Sequence, residues 1–172
     1  STQLEAWLPN LLCGVTTWGL LVDEQGVDDP VHVTTRATFD WKYISLSGSK
    51  HLATTVPLTH ALVLARSGDQ GKAGLTFLAV DLATEGVTVG PDTVSFDDVR
   101  VTDDVVLGRR DSGWAVWTAT RPYLERSLAG RIRRGLVHAT PGAPAGDLDR
   151  TVAEILDRHV PAPPPEIDRR GG

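Results

Sequence analysis

The chain has 172 residues, enough for one domain with a single buried core. A formal charge of -5 argues against a nucleic-acid-binding surface, and the basic run Arg131-Ile132-Arg133-Arg134 reads as a solvated helix face. A lone cysteine, Cys13, excludes an internal disulfide and a cysteine-rich zinc site, no apolar run reaches the roughly 18 residues of a bilayer span, and a reducing cytoplasm is the expected compartment.

Taken in order, Gln3–Cys13 places Leu4, Trp7, Leu8, Leu11 and Leu12 at helical spacing, with Pro9 interrupting and Gly14 as the stop. Thr16–Val22 is β-branched and apolar and reads as a strand that enters the acidic loop Asp23–Pro30. Val31–Phe39 alternates in the manner of a half-buried strand. Lys42–Ser67 reads as strand, a turn centred on Ser47-Gly48-Ser49, strand, short link and the apolar strand Leu58–Leu64. Gly68–Lys72 is a hairpin loop, and Leu75–Asp81 is a strongly apolar, central strand. Val87–Val89, Val94–Val101 and Val105–Leu107 complete the strands. With no helical segment between them, these short strands predict one antiparallel unit, a sandwich or barrel.

The grammar changes at Ser112. Gly113–His138 has a helical apolar period, with Pro122 forcing a break or a fresh start. Thr140–Gly146 is a linker, Asp147 caps a helix over Leu148–Arg158, and the Pro-rich end, 161–172, reads as an extended or disordered tail. The expected organisation is a β domain over 1–111, helices packed on it over 112–160, and the tail. The chain contains no methionine, so a processed or trimmed amino terminus is expected.

Several short segments, in a shared order, resemble the central β-barrel domain of the acyl-CoA dehydrogenases. Gln3–Gly14 is similar to that family's helix ending in Leu-Pro and Leu-x-x-Gly, and Trp18–Asp29 aligns with its flavin-contacting strand and loop, written [ST]-E-P-x-x-G-S-D. Leu46–Lys50 resembles L-N-G-x-K, and Phe77–Asp81 with Gly86-Val87 resembles F-L-V-D followed by P-G-V. Phe96–Val101, Leu107-Gly108 and Gly113-Trp114 fit F-D-D-V-R-V…L-G…G-W, and Leu124-Glu125-Arg126 fits L-x-x-E-R. The resemblance covers roughly residues 3 to 138. It implies a mainly β fold, an antiparallel or two-sheet barrel like the middle domain, with a short amino-terminal helix and one or two carboxy-terminal helices.

It also implies where this chain departs from a flavin site. Asp23 stands at the Ser or Thr whose hydroxyl donates to the flavin edge, and a carboxylate only accepts. Gln25 replaces the Pro, and Asp28-Asp29 replaces the Gly-Ser of the loop facing the pyrophosphate, where each carboxylate is repelled by ~1 kcal/mol. Leu52 stands where a Trp packs on the ring, and Thr54 alone keeps a suitable hydroxyl. By the same resemblance, no room is expected upstream of Gln3 for the family's amino-terminal helical domain, and its carboxy-terminal bundle, which carries the catalytic Glu, is expected to be reduced to one or two helices.

The candidate catalytic residues are Asp23 and Glu24 as an acid–base pair and His51 as a group that orients or protonates a carbonyl. Trp18, Leu20, Leu52, Thr54 and Thr55 are the candidate substrate contacts. Asp23, Leu52 and Thr54 would be the flavin contacts if a flavin is held. Lys50 reads as structural, as does a Glu125–Arg126 pair. Trp41, Trp114 and Trp117 read as core or pocket lining. His32, His60, His138 and His159 lack metal-ligand spacing, and nothing marks Cys13 as a nucleophile. The first expectation is a stand-alone barrel without cofactor, a cyclase or isomerase of specialised metabolism acting on a small hydrophobic acyl or polyketide-like substrate. The second is a subunit or fragment of an FAD-dependent acyl-CoA or acyl-carrier-protein dehydrogenase completed by a partner chain, and the third is a non-catalytic binding module. A homodimer or a partner dehydrogenase subunit is expected, with neither nucleic acid nor membrane.

Overall fold

The two most apolar segments of the sequence, HALVLAR and LTFLAVD, form adjacent antiparallel strands, β4 (His60–Arg66) and β5 (Leu75–Asp81). A computed structural model describes residues 2–52, 57–69, 71–139 and 144–159, and eight strands and three α-helices lie among these described residues. Two compact units, Ser1–Trp117 and Thr118–Gly172, divide it. The first holds α1 (Thr2–Leu12), β1 (Trp18–Leu21), β2 (Arg36–Phe39), β3 (Ile44–His51), β4, β5, β6 (Val87–Val89), β7 (Thr93–Val101) and β8 (Val106–Leu107). The opening of α2, Gly113–Trp117, belongs to it as well, since α2 runs Gly113–Ala139, and α3 (Ala145–His159) lies in the second unit.

The strands form one sheet in the order β6-β7-β3-β2-β4-β5-β8, with β1 attached to β4. Most pairs are antiparallel, as expected, but β1 runs parallel to β4, and β2 meets it in a single parallel pair, Arg36 with Arg66. The sheet is therefore mixed: β1 and β2 share one edge of β4, which closes the curl without a hairpin.

Alternation assigns the two faces of β4 and β5. Ala61, Val63, Ala65, Leu78 and Val80 point into a core shared with Leu21, Ile44, Leu46, Val94, Phe96 and Val99. Because strands from both halves of the sheet order feed that core, the sheet wraps around it. Leu64, Leu75 and Phe77 face the other way, into a second cluster with Val22 and Val33 that Trp114, Val116 and Trp117 of the first turns of α2 cover. Burial on both faces is why these strands read as unbroken apolar runs rather than as alternating ones.

Local chemistry corrects four expected boundaries. The Gly48 segment is no turn: β3 runs unbroken from Ile44 to His51, and the irregularity lies opposite it. Leu46 pairs with Val99 and Gly48 with Phe96, so β7 carries one residue more than β3, a bulge at Asp97-Asp98 with Asp98 at φ 47. The bulge is why two aspartates separate the buried Phe96 and Val99. Val31–Phe39 is not one strand, since Asp29 accepts from Val31 N and caps a short 3-10 turn over Pro30–His32 before β2 begins. Pro122 sits inside an uninterrupted α2. α3 begins at Ala145 rather than after Asp147, whose amide bonds to the Pro144 carbonyl.

The amino-terminal helix docks differently from expectation. Gln3 Nε2 donates to the carbonyls of Asp104 (2.6 Å) and Val106 (2.8 Å), and Trp7 packs near Trp18, whereas Leu8, Leu11 and Leu12 are exposed. Its end is a Schellman motif, with Gly14 at φ 69, Gly14 N bonded to Leu11 O and Val15 N to Asn10 O. Trp41, expected as core or pocket lining, is 91% exposed and so lies outside the core. The proposed tail and residues 140–143 of the linker lie outside the described residues.

Gly48 is the position most sensitive to a side chain. It sits at φ 135, and a Cβ there would lie 2.7 Å from Thr35 Cα and 2.8 Å from Thr35 Oγ1. Gly48→Ala is expected to cost about 2–3 kcal/mol through strain and displacement of Thr35. In urea titration the midpoint should fall with an unchanged slope.

Candidate functional site

The site-bearing loop leaves β1 at Val22 and folds back at once, because Gly26 at φ 77 lets Val27 N reach Glu24 O at 3.1 Å. That tight turn directs the Glu24 side chain inward. Both carboxylate oxygens are occupied: Oε1 accepts from Lys50 Nζ (2.7 Å) and Thr35 N (2.9 Å), Oε2 from Thr34 N (2.7 Å) and Thr34 Oγ1 (2.6 Å). Lys50, fully buried on β3, also donates to the Val22 carbonyl at 3.0 Å. Thr35 continues the network through its hydroxyl to Ser49 O (3.2 Å) and its carbonyl to Arg66 N (2.7 Å). The buried Arg66 guanidinium then donates to the carbonyls of Val31, Asp69 (3.0 Å) and Gly71 (2.7 Å).

These contacts set the charge states. Burial opposes ionisation of Glu24, but the hydrogen bonds from Lys50 and Thr34 and the lysine charge outweigh it and hold the carboxyl down at about 2. Burial lowers Lys50 to about 8 against the opposing bond and charge of Glu24. At neutral pH the pair is therefore ionised, closed and saturated with partners. A carboxylate held that far below neutrality and enclosed on both oxygens is a structural strut. Lys50 has the structural role expected of it.

The remaining candidates occupy the rim of this strut. Asp23 is exposed, and its carbonyl accepts from His51 N at 2.8 Å, so the loop and the end of β3 are tied side by side with both side chains at the surface. The structure thus brings Asp23 and His51 together through the backbone and sends Glu24 to the opposite side. Trp18 is half-buried, stacked on His60 with centroids 4.8 Å apart, and its Nε1 donates to Thr16 Oγ1 at 3.1 Å. Leu20 is exposed on the same strand, while Leu52 packs on the core and donates its amide to Asp92 O at 2.7 Å. Thr54 and Thr55 lie outside the described residues. Among the described residues, β1 pairs with β4 alone.

Sequence reasoning did not find Thr34, Thr35 and Arg66, which complete the strut. Their one available signal was Glu24-x-Gly26, a turn that must aim a carboxylate somewhere. It also missed a cleft of about 530 Å³ lined by Phe39, Trp41, Asp103, Val106, Arg109 and Arg110 at the far end of β2.

Comparison with known proteins agrees with this architecture. No protein-family profile matches the chain. It is 32% identical over 169 residues to the acyl-CoA dehydrogenase IpdE1 of Mycobacterium tuberculosis, covering 90% of this chain and 43% of that protein. The butyryl-CoA dehydrogenase of Megasphaera elsdenii shares the fold at a TM-score of 0.72 and 20% identity, over 88% of this chain and 48% of that one. The ChsE4–ChsE5 complex of Mycobacterium tuberculosis aligns at a TM-score of 0.66 and 19% identity, over 92% of this chain and 50% of the matched one. The chain is an acyl-CoA dehydrogenase homologue with the β-domain fold of those enzymes, and it spans half or less of the length of the relatives it matches.

Removing one partner of the strut should be far worse than removing both. Lys50→Met leaves a buried, uncompensated carboxylate and is expected to cost about 3–5 kcal/mol, with much of the loss recovered in Glu24→Gln/Lys50→Met. Because the folded carboxyl lies near 2, below its ordinary 4.5, its contribution is complete above pH 4.5 and is lost as pH falls towards 2. Denaturant midpoints between pH 2 and 6 should fall steeply for wild type and flatten in the double variant.

Proposed function

We propose that the chain is the β-sheet module of an acyl-CoA-dehydrogenase-type enzyme whose active site is completed by a second polypeptide, and that the module itself holds no flavin. The observation that carries this reading is a preserved frame with an altered donor set. The Glu24–Lys50 strut and the mixed sheet keep the strand and loop in place, while the groups that line the loop are carboxylates. Asp23 is exposed where a hydroxyl donor is implied; Asp28 is exposed, and Asp29 spends its carboxylate on Val31 N. The nearest buried cations are committed, Lys50 to Glu24 and Arg66 to three carbonyls, so neither is available to a pyrophosphate. Leu52 offers no ring face. These residues do not fit a flavin, and no step is derived through one on this chain.

What the module supplies instead is a wall. Trp18 and Leu20, two positions apart on β1, present an apolar face against which a hydrophobic acyl-type substrate can lie, with Leu52 packed on the inner core behind the sheet and Asp23 and His51 at the surface as the polar pair. The resemblance to two-chain assemblies such as ChsE4–ChsE5 supports placing the flavin and the catalytic base on the partner. The cyclase or isomerase reading, in which Asp23, Glu24 and His51 act together without a cofactor, has less support because Glu24 is committed to Lys50.

The purified chain should be colourless, without flavin absorbance near 450 nm, and inactive in acyl-thioester dehydrogenation until its partner is added. Within the assembly, Asp23→Asn and His51→Ala should lower turnover by about tenfold or more while leaving the isolated fold unchanged. Asp23→Ser/Asp28→Gly/Leu52→Trp should raise affinity for added FAD. A yellow wild-type chain carrying near-stoichiometric FAD would overturn the proposal.

A further inference from the structure

We infer that the cleft between the β2–β3 turn and the β8–α2 loop binds an amino-bearing purine nucleotide. This site uses no residue of the Asp23–His51 rim and stands independently of the reading above.

A tryptophan 91% exposed is an uncovered apolar surface on a side chain that is ordinarily buried. Trp41 is nevertheless held: its amide donates to Asp40 Oδ1 at 2.6 Å, and Asp40 N bonds to Tyr43 O at 3.0 Å, closing the hairpin loop that presents the ring. The indole is thus offered on a hydrogen-bonded turn beside an open, shallow cleft that Asp103, Arg109 and Arg110 also line.

The facing wall is charged and divided. Arg110 is fixed, its guanidinium 4.4 Å from the Phe39 ring centre, 3.6 Å from Asp111 and 3.4 Å from the Ser67 carbonyl. Arg109 lines the same cleft, and among the described residues its guanidinium has no hydrogen-bond or ion-pair partner. The Asp103 carboxylate is likewise unpartnered there, and Asp40, whose Oδ1 accepts from the Trp41 amide, adds a second carboxylate to the lining. An exposed indole, a free guanidinium and a free carboxylate around one cleft ask for three complementary features on one molecule. These are a flat ring to stack, an anion for the arginine fork and an N–H donor for the aspartate. An adenine or guanine nucleotide carries all three: the base stacks on Trp41, its exocyclic amine donates to Asp103, and its phosphate accepts from Arg109. The same chemistry occurs in a free nucleotide and at the adenosine end of a larger cofactor or thioester.

Calorimetric titration of the full chain with AMP tests this, with purine riboside monophosphate, inorganic phosphate and coenzyme A in parallel. Saturable AMP binding is expected, at least several-fold tighter than purine riboside monophosphate, which has no N–H on that ring edge, and inorganic phosphate should not compete at equal concentration. Trp41→Ala and Arg109→Ala should each weaken AMP at least tenfold with unchanged circular dichroism. Asp103→Ala should abolish the preference for AMP over purine riboside monophosphate. Coenzyme A binding tighter than AMP, with the same variant sensitivity, would assign the site to an adenosine-bearing conjugate, and weaker binding would assign it to a free nucleotide. No saturation with AMP at millimolar concentration, binding indifferent to Trp41, or phosphate alone competing equally would overturn the inference.

Discussion

The fold turns on one buried contact, the 2.7 Å bridge from Lys50 to Glu24. Neither charge is tolerable there alone, since desolvating an ion costs several kcal/mol that only a well-made pair offsets. The bridge joins the loop after β1 to the end of β3, and Thr34 and Thr35 attach the start of β2 to the same carboxylate. Three segments distant in sequence meet at that carboxylate. The requirement that all four of its short bonds be made fixes the loop more tightly than apolar contact would, because hydrophobic packing is non-directional. Gly48 belongs to the same constraint, since its missing side chain lets Thr35 approach β3 closely enough to bond Ser49 O.

The rim and the strut divide the chemistry of neighbouring residues. Asp23 and Glu24 are adjacent carboxylates, yet the turn at Gly26 sends one outward and the other into the core. Their identical charge in the sequence therefore carries opposite meanings. One remains available at the surface near His51, and the other is consumed in holding the surface up.

The strands were legible where burial imposed a pattern. β4 and β5 announced themselves as apolar runs because they are covered on both faces, and β7 was visible as Val94–Val101. The bulge was written in the sequence as well: Phe96 and Val99 break the period of two by one residue, and the Asp97-Asp98 pair marks the place. What could not be read were decisions made by distant partners. Parallel attachment of β1 to β4 depends on the curl of the whole sheet, and β2 is short because Asp29 caps a 3-10 turn ahead of it. Gly48 signals a turn by composition, but Thr35, thirteen positions earlier, makes it a point of close approach. In the candidate site, Asp23 and His51 were legible as exposed polar residues, whereas the fate of Glu24 required knowing that Lys50 and Thr34 would face it. Trp41 read as core or pocket lining, and only the hairpin geometry decides between the two, since the ring stands clear of the core and lines the cleft.

The hairpin of β4 and β5 lies between two apolar clusters, one inside the wrapped sheet and one under the opening turns of α2. No small fluctuation can uncover its amides, because lifting the pair away from either layer strips the other of its floor. The slowest-exchanging hydrogens of the molecule should therefore reside on Ala61–Ala65 and Thr76–Val80, and their exchange should track complete unfolding rather than any partial opening. A substitution on these two segments therefore disturbs two packed layers at once, whereas one on an exposed strand end disturbs neither.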